Sequence, residues 1–109
     1  MNIYELNVKK PYLSYILDGQ KTIEGRLNRG KFAKISKDDI LIVGPDKIKF
    51  KLIQKTQYPN FRKMLQNEGI INVLPDQKDI NEGVQVYYKF YTPEDERKFR
   101  VVALKIQKV

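Results

Sequence analysis

Between Gly19 and Arg26 the sequence reads Gly-Gln-Lys-Thr-Ile-Glu-Gly-Arg, the densest cluster of chemically useful side chains in the chain. If Thr22 to Leu27 is a strand, Thr22, Glu24 and Arg26 share one face and Ile23 and Leu27 the other. Lys21 stands at its entrance, so a cation, an anion and a cation line one patch. A guanidinium at Arg26 suits bidentate recognition of a phosphate or a base edge. Glu24 suits acceptance from an exocyclic amine, or the holding of Lys21 and Arg26 in place. The plainer alternative is a charge pair on a solvated face, worth little.

The composition narrows the chemistry. With no His and no Cys among 109 residues, the chain has no imidazole base, Ser-His-Asp triad, thiol nucleophile or thiolate zinc site. An enzyme built from it works with Lys, Asp, Glu, Tyr, Ser or Thr. A metal would have to be a hard cation on oxygen ligands; no metal site and no cofactor are expected. The net charge of +8 is uneven: residues 1–64 hold 14 basic and 6 acidic side chains, and residues 65–109 hold 7 of each. Six of the basic residues, Lys21, Arg26, Arg29, Lys31, Lys34 and Lys37, fall in one short stretch with Glu24 as the only acid. Localised charge of this kind marks a face that meets phosphate, or else a lysine-rich solvated surface. The longest apolar run, Ile40 to Val43 with Gly44, is far below the ~18 residues that span a membrane. The start of the chain has no signal-peptide pattern, so a cytoplasmic location is expected; the length is that of one domain, residues 1–109, and a monomer is favoured though the sequence leaves the oligomeric state open.

The elements that must position these groups follow from periodicity and punctuation. Ile3 to Val8 is β-prone. Pro11 opens a helix carrying Tyr12, Leu13, Ile16 and Leu17, and Asp18-Gly19 closes it. After the Thr22–Leu27 strand, Lys31-Phe32 is expected to return as a short strand, and Ile40 to Val43 is a buried one. Lys47 to Leu52 alternates strictly, with Ile48, Phe50 and Leu52 inward and the lysines, including Lys49 and Lys51, outward; this strand runs to Tyr58. Asn60 caps a helix with Phe61, Met64 and Leu65 that Gly69 stops. Val73-Leu74-Pro75 reads as an extended connector. Asp79 begins the clearest helix, with Ile80, Val84, Tyr87, Tyr88 and Tyr91 in one stripe, which argues that Tyr87 and Tyr91 pack inward. Thr92-Pro93-Glu94-Asp95 is a further helix start, and Val101 to Ile106 the closing strand. Five or six strands with helices grouped among them argue for an α+β fold whose sheet curls into a small barrel.

The pattern Gly19-x-Lys21-x-x-Glu24-x-Arg26 after a helix at Pro11-Tyr12 resembles the ASCH domain. Asp38-Asp39-Ile40 resembles the family's Gly-Asp turn, with Asp38 in place of the glycine. Phe61-Arg62-Lys63-Met64-Leu65, Val73-Leu74-Pro75, Glu82-Gly83-Val84 and Tyr88-Lys89-Phe90-Tyr91 resemble a compact stand-alone archaeal and bacterial branch. The resemblance implies a PUA-like fold, a small mixed β-barrel with surrounding helices and a cleft beside the first helix. It also implies RNA or nucleotide-like ligands. On that reading Lys21, Glu24 and Arg26 form the ligand cleft, while Arg29, Lys31, Lys34 and Lys37 supply a sequence-independent field. The alternative is a small hydrolase of modified nucleosides or RNA, akin to an acetylcytidine amidohydrolase or a ribonuclease, with Lys21 and Glu24 as its catalytic candidates. The departure is that Glu24 occupies the position of that branch's threonine nucleophile, with Thr22 two residues away. Glu82 matches its glutamate by region only, and Asp79-x-x-Glu82 reads equally as a capping pattern.

Overall fold

A computed structural model describes all of residues 1–109. Five strands form one mixed sheet: β1 (Ile3–Leu6), β2 (Ile23–Leu27), β3 (Ile40–Val43), β4 (Ile48–Tyr58) and β5 (Val101–Lys108). Their spatial order is β1-β3-β4-β5-β2, with β1 parallel to β3 and every other pair antiparallel. The sheet is α+β and PUA-like, curled into a half-barrel. Its two outer strands, β1 and β2, share no ladder, so the half-barrel keeps an open seam between them.

Six helices accompany the sheet: α1 (Tyr12–Leu17), α2 (Lys31–Lys34), α3 (Phe61–Glu68), α4 (Ile70–Val73), α5 (Ile80–Tyr88) and α6 (Pro93–Phe99). Alternation along β4 and β5 divides the apolar residues between two cores. One face carries Leu41, Val43, Phe50, Leu52, Leu104 and Ile106 against Ile16 of α1. The other packs Val101 and Ala103 of β5, with Ile23 and Leu27 of β2, against Phe61, Met64 and Leu65 of α3 and Val84 and Tyr87 of α5.

The local signals act where they stand. Asn60 accepts from the Lys63 N–H at 2.8 Å, Asp79 from the Glu82 N–H at 2.9 Å and Thr92 from the Asp95 N–H at 3.1 Å, each satisfying an otherwise orphaned helix donor. Asp38 takes φ +76°, the left-handed conformation that a glycine holds without strain. Asp39 beside it is pinned by the N–H groups of Asn2 and Ser36, each at 2.9 Å.

Three expectations are corrected. Lys31-Phe32 is not a strand but the start of the single-turn α2, closed by the Ile35 N–H on the Lys31 carbonyl. One turn is too short to show a helical period in sequence. Val73 is the last residue of α4 rather than part of an extended connector. The α5 helix stops at Tyr88, because Pro93 forces Thr92 into an extended conformation and leaves only a turn between. Tyr91 keeps its place on the stripe, since its N–H still reaches the Tyr87 carbonyl at 2.9 Å.

Candidate nucleotide cleft at the open seam

The α1–β2 connection sets Lys21. Gly19 turns at φ +90°, the Gln20 N–H caps on Asp18, and the Lys21 N–H donates to the Tyr15 carbonyl at 2.9 Å. The lysine side chain is thereby driven inward and is only 2 % exposed. Its ammonium donates to the Ile23 carbonyl at 2.6 Å and the Val73 carbonyl at 2.5 Å, and pairs with Glu24 Oε1 at 3.0 Å. All three N–H groups therefore have acceptors. The Val73 carbonyl is one that a helix end leaves without an intrahelical partner, so Lys21 ties β2 to α4.

Glu24 is 6 % exposed and lies between two cations. Its Oε2 accepts from Arg26 Nε at 2.9 Å and pairs with Arg26 Nη2 at 2.8 Å. Burial alone would raise the Glu24 carboxyl, but the charges of Lys21 and Arg26 outweigh it and hold the group below the usual carboxylate range. Burial pushes Lys21 down, and Glu24 restores only part of the loss. Burial also opposes the charge on Arg26, and Glu24 more than offsets it. The solvated charge pair considered from sequence is thus an enclosed Lys–Glu–Arg chain, in which Lys21 supports Glu24 from behind.

Arg26 reaches across the seam. Its Nη2 donates to the Asn7 carbonyl just beyond β1, and Lys31 Nζ donates to the Glu5 carbonyl on the same strand. Two cations from the β2 side thus serve carbonyls that a neighbouring strand would serve in a closed barrel. Arg26 lies over the Phe32 ring at 4.9 Å, and Arg29 over the rings of Tyr91 and Phe99 at 5.8 and 5.3 Å.

A cleft of about 220 Å³ opens along this seam. Glu24, Gly25 and Arg26 form its floor, Asn7 to Lys10 one wall, and Tyr12, Tyr87, Phe90 and Tyr91 supply aromatic surface. Pockets for drug-sized ligands run to ~300–1,000 Å³, so this space suits one ring-sized group. Arg26 lines it, Arg29 lies over the ring of the lining residue Tyr91, and Lys31 meets the β1 side of the seam at Glu5. Lys34 and Lys37 lie elsewhere: they line a separate shallow groove with Ser36, Gln54 and Lys55. Thr22 is outside the cleft lining, as is Glu82, whose backbone N–H takes the Asp79 cap. No three Asp or Glu side chains converge as metal ligands.

Sequence reasoning assigned Tyr87 to the core, and its ring is there, stacked on Phe61 at 4.0 Å and 6°. It missed that Tyr87 also lines the cleft, with its hydroxyl buried over Gly25. The signal was the residue type: a tyrosine at a core-facing position brings a polar atom that needs a partner. Tyr12 and Phe90 stand in the motifs that resemble the family, but neither they nor the Asn7–Lys10 wall could be assigned to the site, because only the α1 approach and the α5–α6 turn bring them to β2.

The ASCH domain family model matches residues 6–109, and the chain belongs to that family. ASCH domains are PUA-like modules linked as a family to RNA binding. The crystal structure of the hypothetical protein PH0355 is similar at 42% identity and TM-score 0.93, over 98% of this chain and 99% of that one. The solution structure of protein PF0455 from Pyrococcus furiosus is similar at 38% identity and TM-score 0.84, over 98% and 97%. No protein of curated function matches. No helix is long and apolar enough to cross a membrane.

Proposed function

We propose that residues 1–109 act as one RNA-binding module whose seam cleft takes a single unpaired nucleotide. The observation that carries this reading is the cleft itself: ring-sized, walled by aromatic side chains, with a guanidinium anchored at its mouth. Aromatic faces hold a base by stacking, worth ~1–3 kcal/mol per base. Arg26, with Arg29 and Lys31 beside it, receives the adjoining phosphates. Lys34 and Lys37 extend the field along the flank. Glu24 holds Arg26 in place at the floor, and Lys21 supports it from behind.

The hydrolytic alternative gains less support. A base needs a free lone pair, and every N–H of Lys21 is engaged with an acceptor in an enclosed site. The cleft lining includes no Ser or Thr to serve as a nucleophile.

The test is fluorescence anisotropy of a labelled single-stranded RNA across a salt series. A chain neutralising Z phosphates gives a log–log slope of about −0.7Z. Binding that weakens steeply with salt and falls at least ~10-fold in Arg26→Ala is expected. Absence of binding at low salt, or a flat salt response, refutes the reading.

A further inference from the structure

The Tyr87 hydroxyl is the one buried side-chain polar atom in the protein with no hydrogen-bond partner. The residue is 6 % exposed, its ring is fixed against Phe61, and it lines the seam cleft. Burial raises its pKa well above the ordinary value, with the Glu24 charge acting in the same direction, so the hydroxyl stays a donor. Gly25 makes room for it: a Cβ there would stand 2.8 Å from the hydroxyl oxygen and 2.6 Å from Met64 Cε.

The residue beneath that hydroxyl, Gly25, brings two more polar groups. The bonds from Ile106 N to the Thr22 carbonyl and from Asn28 N to the Arg100 carbonyl fix which β2 residues pair with β5. By antiparallel alternation, Glu24 and Arg26 bond to β5, and Ile23, Gly25 and Leu27 turn their peptide groups to the open edge. The Ile23 carbonyl is taken by Lys21 and the Leu27 carbonyl by the Arg29 N–H. Gly25 remains, with its N–H and C=O directed into the cleft it lines. The cleft thus offers a fixed donor and acceptor on one residue, with a further donor over that residue.

We propose that Gly25 and Tyr87 select the base that enters: a neutral heterocycle with an N–H flanked by ring carbonyls, the uracil type. Its N–H donates to the Gly25 carbonyl, one ring carbonyl accepts from the Gly25 N–H, and the other accepts from the Tyr87 hydroxyl. Adenine has no ring carbonyl, and the pairing edge of cytosine has no ring N–H, so neither satisfies all three groups. A polar group left unpaired in an enclosed site rejects an incomplete match strongly. This inference rests on the reading that the cleft takes a nucleotide.

The experiment compares labelled oligo(U), oligo(A) and oligo(C) on wild-type protein and Tyr87→Phe, with uridine titrated into ¹⁵N-labelled protein in parallel. Oligo(U) should bind at least ~10-fold tighter than the others, about the worth of one hydrogen bond. Tyr87→Phe should bring that ratio to within ~2-fold through loss of oligo(U) affinity, with a melting temperature no lower than that of the wild type, since it removes a buried hydroxyl that lacks a partner. Uridine should shift the Gly25 amide resonance. A wild-type protein that binds all three equally, or a ratio that survives Tyr87→Phe, overturns the inference and leaves RNA binding standing. No affinity for any oligomer, with uridine still shifting Gly25, refutes the RNA reading and supports the contact between Gly25 and a uracil-type ring. Silence in both measurements overturns both.

Discussion

Glu24 is the only anion in contact with a lysine that is almost wholly removed from water. Glu24→Gln keeps the shape and removes the charge, leaving Lys21 with two carbonyl dipoles and Arg26 with only the Asn7 carbonyl. Breaking a buried ion pair from one side costs about 3–5 kcal/mol. A domain of this size has about 5–15 kcal/mol in total, and each kcal/mol moves the melting temperature by roughly 4–8 °C. A loss near ~4 kcal/mol therefore lowers it by about 15–30 °C. The pH dependence has a definite sign. Burial already places Lys21 below its ordinary value, and Glu24 pulls it back up, so the variant lysine is depressed further. The unfolded chain then binds more protons than the folded one, and stability rises with pH toward ~10.4. Urea melts at pH 7 and pH 10 should show the deficit shrinking at the higher pH. The double variant Lys21→Met/Glu24→Gln should be more stable than the two single losses sum to, by at least ~1.5 kcal/mol. A Glu24→Gln protein within ~1 kcal/mol of wild type at pH 7, or a deficit that grows with pH, refutes the account of an enclosed charge chain.

Since Lys21 and Arg26 hold Glu24 below the usual carboxylate range, its stabilisation is fully present above ~4.3 and is lost as pH falls through the lower folded value. Acid unfolding followed by circular dichroism should therefore be centred below pH ~4, and a midpoint above pH ~5 contradicts this. Gly25→Ala should cost ~1–3 kcal/mol by forcing Met64 and Tyr87 aside, and should also abolish the uridine response; an unshifted melt with intact binding refutes the tight approach. Asn60→Ala removes the cap on Lys63 and should cost ~1 kcal/mol in a urea melt, with RNA affinity unchanged. Lys34→Ala/Lys37→Ala should make the salt slope shallower by about 1.4 if both meet phosphate, and an unchanged slope confines the phosphate path to the mouth of the cleft.

The parts of the fold legible in sequence are those set by neighbours along the chain. Ile48, Phe50 and Leu52 alternate with lysines and form the inward side of β4. Asn60, Asp79 and Thr92 cap helices because the groups they satisfy lie three residues on. Where an element was a single turn, as at Lys31–Lys34, or ended through the restraint of a following proline, as at Tyr88, periodicity misled. The order of strands was not legible, since β1 and β2 are edges only because β5 returns from the far end of the chain to lie beside β2.

The candidate site divides in the same way. Lys21, Glu24 and Arg26 could be singled out by type and spacing, and two-residue alternation put Glu24 and Arg26 side by side. Their roles could not be read there. Lys21 is a support rather than an exposed contact because Val73, 52 residues away, offers the carbonyl that encloses it. The charge run from Arg29 to Lys37 is continuous in sequence, but the turn of α2 sends Lys31 to the seam and Lys34 and Lys37 to another groove. Tyr87 belongs to the apolar stripe of its helix by period, and only the packing of α5 beneath Gly25 leaves its hydroxyl buried over that glycine without a partner. Residue type and local spacing determine which groups are available and how each helix and strand begins. Burial, charge pairing and the open seam arise from contacts between distant segments, so the tertiary structure alone decides which of those groups meet a ligand.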